Sequence, residues 1–455
     1  MQITVFGAGY VGLVTAACLS SLGHIVKCID VSKERIAGIQ QGKAPFHEPG
    51  LNELIRRGLE QKTLILATDS VGALTGSALS VIAVGTPQSG DTVDLGFLTS
   101  AVSSIGRELR KHGSYHGVVV KSTVQPQTTD TLVRQVLERE SGLTAGQFGL
   151  CMNPEFLREG SAVDDFMNPD RIIVGEWDRK SGDVLMQLYA NFECPKLRTT
   201  LRNAELIKYT SNSLLATLIS FSNEIAGICE AMPDSDIETV MDGVHLDRRF
   251  ATSVGGEAVR PGILHYLRAG CGFGGSCLPK DVNALREFAS RIQAQTPLLD
   301  AVMNINGRRP DQVVRLLRQT VGRVEGKVVA ILGLAFKPGT DDLRDSPAIS
   351  IAQRLHEAGA TICAYDPLIS ATQVRAGSIH IALRSTVEDV LRGADAAVIA
   401  TAWPQFRELN WSELVKLMAH RIIIDARNLL SETYFPSDVT YRSVGRGYAV
   451  VKDAT

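Results

Sequence analysis

Two rhythms of apolar and polar positions alternate along this chain. Short continuous apolar runs stand at Ile3–Phe6, Ile25–Ile29, Val81–Val84, Val118–Val120, Gly149–Met152 and Ile172–Val174. Between them lie stretches with helical spacing, such as Leu98–Leu109 and Thr128–Glu140. Apolar runs of this length, separated by helices, predict strands buried on both faces of a parallel sheet.

From about Leu201 the rhythm changes. Residues 203–232 predict one long helix, with apolar positions at 207, 214, 215, 218, 221, 225 and 228 and Pro233 as its stop. Helical pattern continues to about Gln319, and Pro297 and Pro310 suit the first turns of separate helices. A second series then begins, with strands at Val328–Leu332, Thr361–Tyr365, Ala396–Thr401 and Ile422–Asp425 and a helix over Pro347–Glu357. The expected fold is α/β: two Rossmann-like doubly wound parallel-sheet domains, 1–200 and 311–455, joined by a central helical domain, 201–310. The long helix is a candidate dimerisation element, although an intradomain core helix fits the same pattern.

Composition changes this picture little. The 455 residues are 44% apolar and 21% charged, with a net charge of −2, which is ordinary for a globular protein. No block of like charge points to a nucleic acid or a membrane surface. The apolar N-terminus has no basic leader and runs straight into a glycine turn, so it predicts a strand and not a signal peptide. No apolar stretch is expected to reach the roughly 20 residues of a membrane span, and a cytoplasmic protein is expected. The eight cysteines show no CxxC spacing, so no metal site is expected.

Gly7, Gly9 and Gly12 form G-x-G-x-x-G between the first strand and a helix. The first glycine permits the tight turn, the second close approach of a pyrophosphate, and the third close packing of helix on strand. The helix start offers free N–H groups to phosphate. Asp30 ends the second strand, where a carboxylate accepts from a ribose diol and repels a 2′-phosphate, favouring NAD. Arg35 stands close enough to bind a 2′-phosphate instead.

The most specific segment is Gly270-Cys271-Gly272-Phe273-Gly274-Gly275-Ser276-Cys277-Leu278-Pro279-Lys280-Asp281. Its glycines predict a backbone able to wrap around a ligand. Cys277, beside a lysine and a helix start, is expected to have a lowered pKa and to be a nucleophilic thiolate. Cys271 is expected to be filler. Lys208 and Asn212 share one face of the long helix, one turn apart.

These motifs, with EPGL (48–51), VGTP (84–87), KSTV (121–124), NPEFLREGSA (153–162), NPDRIIVG (168–175), GLAFKPGTDDLRDSP (333–347) and DARN (425–428), resemble the UDP-glucose/GDP-mannose dehydrogenase family, and most closely its UDP-glucose-oxidising branch. The resemblance spans nearly the whole chain. It implies four-electron, NAD-dependent oxidation of a sugar nucleotide, through a thiohemiacetal and a thioester on Cys277. It implies Glu155 as the base for thioester hydrolysis, Thr123 as the water-positioning residue, and Lys208, Asn212 and Asp281 at the reacting carbon. For the cofactor it implies Gly7, Gly9, Tyr10, Val11, Gly12, Asp30, Arg35, Thr86, Ser122, Thr123, Glu159, Lys280 and Arg344. For the substrate it implies Glu155, Phe156, Leu157, Lys208, Asn212, Tyr266, Arg268, Gly270, Phe273, Gly274, Cys277, Phe336 and Lys337, with Arg249 given by a neighbouring subunit of a homodimer. Residues 250–265 depart from the family pattern as an insertion. UDP-glucose is the expected substrate. GDP-mannose, a UDP-N-acetylhexosamine, a single-step hydroxyacid dehydrogenation and a non-enzymatic nucleotide-binding role are the alternatives.

Overall fold

The computed structural model describes residues 1–89, 92–254, 257–371, 373 and 381–448. The chain forms two compact units: Met1–Ser211 with Glu287–Ala294, and Asn212–Arg286 with Gln295–Thr455.

The first unit is built on an eight-stranded sheet. From edge to edge its strands are Lys196–Thr200, Ile172–Glu176, Gly149–Met152, Gly117–Val120, Leu79–Ile82, Gln2–Phe6, Ile25–Ile29 and Leu64–Ala67. Both faces are covered. Ile3 and Val5 pack with Leu13 and Leu19 on one side, while Phe6, Ile82, Val118 and Val120 pack with Leu98 and Val102 on the other. Burial on both faces explains why these strands read as unbroken apolar runs. Strand order reverses between Gln2–Phe6 and Leu79–Ile82, and ligands of doubly wound sheets bind at such a point, beyond the strands' carboxyl ends.

The expected all-parallel sheet needs one correction. Ile172–Glu176 runs antiparallel to Gly149–Met152, with Cys151 opposite Glu176 and Met152 opposite Gly175. The connection between them stays at the sheet end where Met152 leaves, so the chain re-enters from that end. An apolar run carries no mark of direction, and the sequence pattern could not show this. Lys196–Thr200 is a further strand that the pattern missed, being polar and only partly buried.

In the second unit a six-stranded sheet is parallel throughout, in the order Ala382–Leu383, Thr361–Tyr365, Val328–Leu332, Ala396–Ile399, Ile422–Asp425, Thr440–Ser443. Helices Ile237–His245, Leu278–Arg291 and Pro297–Val321 follow the long helix Leu201–Ala231. Pro310 does not open a helix as expected; it lies inside Pro297–Val321. A proline there costs about 3 kcal/mol, offset by a fully buried neighbourhood that includes Arg309, Val313 and Leu317. Between Thr128 and Glu140 the helix begins as a wide π-type stretch, Thr129–Val133, before becoming α-helical at Arg134–Ser141. Within 250–265, Thr252–Val254 pairs antiparallel with Glu257–Val259, and positions 255 and 256 lie outside the described residues.

Contrary to the sequence expectation, Leu201–Ala231 is long and apolar enough to cross a membrane by length and composition alone. Most of its buried positions, however, are small or polar: Ala204, Glu205 and Lys208 in the first unit, and Asn212, Ala216, Ser220, Asn223 and Ala226 in the second, with Leu201 and Tyr209 as the large exceptions. These fit a core helix whose apolar stripe points outward. Leu214, Phe221, Ile228 and Met232 of the second unit remain 50, 48, 57 and 52% exposed.

Candidate active site

The nucleotide loop follows from three glycines in three different situations. Gly7 has φ +102°, and a Cβ there would meet Ala83 O at 2.5 Å. A Cβ on Gly12 would meet Gly7 O at 1.9 Å, so helix and turn touch backbone to backbone. A Cβ on Gly9 would meet nothing within 4 Å. That open space, at the N-terminus of helix Tyr10–Ser21, is where a pyrophosphate can approach the N–H groups. Asp30, buried at the end of its strand, accepts from Ala8 N at 2.7 Å and Ser32 N at 2.9 Å. Arg35 Nη1 bridges both Asp30 oxygens, at 3.1 and 2.9 Å, and so is tied to the acid in place of standing free for a 2′-phosphate. Open space, N–H donors and a carboxylate at the ribose position fit NAD.

Thr86 and Ser122 fasten the neighbouring strand-end loops. Thr86 Oγ1 donates to Thr123 O at 2.8 Å, and Ser122 Oγ donates to Val84 O at 2.7 Å. Val11 and Glu159 are half-buried. Tyr10 donates its hydroxyl to Glu48, and Gly160 N donates to both Tyr10 Oη at 3.2 Å and Glu48 Oε2 at 2.8 Å. Glu48 also accepts from Ala162 N at 2.7 Å. Sequence reasoning quoted Glu48 only as part of a motif; its work is to cap the Ala162–Met167 helix beside the nucleotide loop.

Beyond strand Gly149–Met152 the chain turns through Asn153-Pro154-Glu155. Glu155 Oε1 lies 2.9 Å from Lys208 Nζ, both groups nearly excluded from solvent. Leu157 N donates to Glu155 Oε2 at 2.7 Å. Burial works to raise the Glu155 pKa, but Lys208, the Leu157 N–H and Lys121 outweigh it and hold the carboxyl below its usual range. Phe156 lies under two cations, with Arg171 at 3.9 Å and Lys208 at 5.5 Å from its ring centre. Glu155, Phe156 and Leu157 line a cavity of about 190 Å³ together with Lys121, Asn153 and Tyr189. The sequence reading assigned no role to those last three. A lysine directly after an apolar strand was the available signal.

In the second unit Asn212 Nδ2 donates to Asp281 Oδ2 at 2.6 Å. Lys280 Nζ donates to Asp281 Oδ1 at 2.5 Å. Asp281 is therefore held by Asn212 and Lys280, while Lys208 is held by Glu155. Cys277 is the residue before helix Leu278–Arg291, and its carbonyl accepts the Asp281 N–H at 2.8 Å. Its Sγ lies 3.6 Å from Ser276 Oγ, in a half-buried position. Cys271 is fully buried in the core, 3.5 Å from Ala400 O, and burial pushes its thiol pKa up. The two cysteines differ in setting: Cys277 stands at a helix start, whereas Cys271 is buried in the core.

The glycines of this loop answer a packing demand. A Cβ on Gly274 would meet Asp345 O at 2.1 Å, one on Gly275 the Phe336 ring at 2.7 Å, and one on Gly272 Asn306 Oδ1 at 2.7 Å. Their missing side chains leave room for neighbouring protein atoms. Asn306 clamps Phe273 through both its N–H and its carbonyl, at 2.8 and 3.0 Å, and Arg309 Nε holds Gly270 O at 2.8 Å. Arg427 Nη1 donates to Gly272 O at 3.0 Å. Asn306, Arg309 and Arg427 thus make the cysteine loop rigid, a function that single residues on distant segments did not advertise.

The remaining expected residues make contacts of their own, and the Arg344 carbonyl accepts the Gly275 N–H at 2.9 Å. Arg344 forks onto Asp342 and Arg249 onto Asp247, both at the surface. Arg268 pairs with Glu238 and Asp242. Tyr266 is half-buried at the end of a short helical turn, and Lys337 lies 5.6 Å over the Phe336 ring.

A dinucleotide loop with an acid at the ribose position, in a chain that also carries a rigidly mounted cysteine, defines a nicotinamide-dependent dehydrogenase. Comparison with known proteins makes this definite. The family models for the NAD-binding, central and UDP-binding domains of the UDP-glucose/GDP-mannose dehydrogenase family match residues 1–193, 202–308 and 330–432. UDP-glucose 6-dehydrogenase YwqF of Bacillus subtilis is 38% identical over 456 aligned residues, 100% of both chains. A GDP-mannose 6-dehydrogenase of Pseudomonas putida is 37% identical over 98% of this chain and 99% of its own. The solved UDP-glucose dehydrogenase of Pyrobaculum islandicum, 35% identical, superposes with a TM-score of 0.88 and 98% coverage of each chain. The chain belongs to the UDP-glucose/GDP-mannose dehydrogenase family. It is an NAD-dependent nucleotide-sugar dehydrogenase.

Proposed function

We propose that the substrate is UDP-glucose and the product UDP-glucuronate, formed by two successive hydride removals with Cys277 as the covalent nucleophile. The observation that carries the covalent part is Cys277 itself: a half-buried thiol at a helix start, the position that favours a thiolate. NAD, when bound, supplies the hydride acceptor for both oxidations, so two NAD⁺ become two NADH per sugar. The aldehyde formed first has no carbinol hydride to give. Addition of the Cys277 thiolate makes a thiohemiacetal, whose carbon loses the second hydride to become a thioester. Water then adds, its proton passing to Glu155 with Thr123 positioning it, and the Cys277 thiolate leaves as the carboxylate forms. In this scheme Lys208 and Asn212 stabilise the negative charge that develops on the substrate oxygen, and Asp281 holds Asn212 in place.

The choice of UDP-glucose is supported by the NPEFLREGSA and NPDRIIVG segments and by full-length likeness to UDP-glucose 6-dehydrogenases. Similar identity to a GDP-mannose 6-dehydrogenase keeps that sugar as the second reading. The test is incubation with NAD⁺ and each of UDP-glucose, GDP-mannose and UDP-N-acetylhexosamines. Two NADH per UDP-glucose and none from the others is the expected result; inactivity on UDP-glucose overturns the choice.

We also propose a cytoplasmic homodimer, with the domain division 1–200, 201–310 and 311–455. The outward stripe of Leu214, Phe221, Ile228 and Met232 supports a second copy as its cover. Arg249, exposed in its own chain, is available to a neighbouring subunit's substrate. Sedimentation of wild type against Phe221→Glu tests the dimer.

A further inference from the structure

The first unit buries a second amine that the reaction scheme does not use. Lys121 follows strand Gly117–Val120 and donates Nζ to Asn153 Oδ1 at 3.0 Å. The same Asn153 oxygen accepts the Tyr189 hydroxyl at 2.6 Å, and Asn153 Nδ2 donates to Ile173 O at 2.8 Å. The Asn153 amide is therefore engaged through both its oxygen and its nitrogen, and it stands two residues before Glu155 in one turn. Glu155 in turn holds Lys208. Two buried ammoniums thus serve one buried carboxylate. A buried charge is costly unless it is used, and the amide lock alone needs only a neutral donor, which Tyr189 already supplies. The groups facing this cluster are Glu155 from its turn, Lys208 from the long helix and the Tyr189 phenol. Arg158, Asp164, Asp165, Asp170 and Arg171 line the same cavity.

We propose that Lys121 is a positioning residue for thioester hydrolysis: through Asn153 it fixes the turn that carries Glu155, and its charge keeps Glu155 ionised as a proton acceptor at acidic pH. This rests on Glu155 being the base of that step. Burial and Lys208 draw the Lys121 pKa down to about 8 against the pull of Glu155, so the amine still carries its charge at neutral pH. It acts on Glu155 together with Lys208, which lies closer.

The test compares the pH profiles of kcat for wild type, Lys121→Gln, Lys121→Met and Lys121→Arg from pH 3.5 to 9, with melting temperature and NAD⁺ binding as checks on folding. Removing the charge should move the acid limb up by about one pH unit, so the loss relative to wild type deepens as pH falls through the limb and approaches about tenfold below it, while the loss at pH 8 stays smaller. Lys121→Arg should keep the wild-type limb, as should Tyr189→Phe, which removes a donor to Asn153 without touching charge. Should Lys121→Gln fail to fold, Lys121→Met carries the same reading. Neutral variants that lose the same factor at every pH, or keep the wild-type limb, overturn the proposal. Glu155→Gln separates the two levels. If it abolishes the limb that Lys121→Gln leaves unmoved, only the role of Lys121 falls. If it leaves the limb in place, Glu155 is not the titrating base and both readings fall.

Discussion

The Lys208 ammonium lies 2.9 Å from the Glu155 carboxylate, and both are buried. One comes from the long helix and the other from the turn after a sheet strand. Breaking such a pair leaves an uncompensated charge. Lys208→Met should destabilise the protein by about 3 kcal/mol, the low end for a broken buried pair because Lys121 remains. Glu155 binds its proton less readily folded than unfolded. Its stabilising contribution is therefore present above the unfolded carboxylate pKa and is lost as pH falls. The gap between wild type and variant should narrow on acidification, read by urea midpoints at pH 7 and pH 4. Lys208→Met with Glu155→Gln should recover part of the loss.

The three fingerprint glycines should respond differently to the same added methyl. Gly12→Ala forces a Cβ to within 1.9 Å of Gly7 O and should prevent folding of the first unit. Gly9→Ala meets nothing within 4 Å; it should melt like wild type while NAD⁺ affinity falls by about tenfold or more, the methyl occupying the pyrophosphate's approach. Calorimetry and NAD⁺ titration distinguish the two outcomes, and a Gly9→Ala protein with wild-type affinity contradicts the placement of the cofactor.

Gly274→Ala tests the rigid mounting of the cysteine loop. A Cβ there would lie 2.1 Å from Asp345 O, a backbone atom that cannot swing aside. The variant should lose about 2–3 kcal/mol of stability, the scale of overpacking. Its thiol should be alkylated by iodoacetamide at an altered rate even where the fold survives, as mass spectrometry of Cys277 would show.

Cys277→Ser should bind NAD⁺ normally and lose net acid formation by about 10³-fold or more. Full turnover by this variant contradicts the covalent scheme.

His116 makes a separate pH prediction. Its Nδ1 must donate to Ser77 O at 3.0 Å, which leaves Nε2 to accept from Ser80 Oγ at 2.8 Å. Burial holds its pKa at about 4 against 6.5 for the free side chain. The folded state therefore binds fewer protons than the unfolded state between these values, so stability rises with pH across that window. The contribution lost on going from pH 7 to pH 4 is up to about 3 kcal/mol. His116→Gln should flatten the difference in urea midpoint between those pH values.

Much of this protein was legible in local pattern. Strands Ile25–Ile29, Gly149–Met152, Val328–Leu332, Thr361–Tyr365 and Ile422–Asp425 stand where the apolar runs predicted them. The helix start after Gly9 and the one after Cys277 were likewise signalled by residue type and spacing. Less visible were features that depend on what lies across from a residue. Glycines 272, 274 and 275 signalled backbone freedom, but not that their missing side chains make room for Asn306, Asp345 and Phe336. Asp30 and Asp366 each follow the second strand of an α/β series. Asp30 accepts from Ala8 N, Ser32 N and Arg35, and Asp366 from Leu334 N, Ala335 N and Trp403 Nε1, so only the full glycine fingerprint before Asp30 sets the two apart.

The sequence by itself determined the alternation of strands and helices, the glycine turn with its helix start, and the family, because these follow from periodicity, backbone freedom and residue order. Only the tertiary structure decided that Ile172–Glu176 runs antiparallel to its neighbour, that the long helix turns its apolar stripe outward, and that Lys121, Asn153 and Lys208 converge on Glu155. Strand direction, facing and charge pairing are set by which segments meet in space, and burial then makes each meeting count: a lysine that would be a solvated charge on an isolated helix becomes, at 2.9 Å from a buried carboxylate, part of a site.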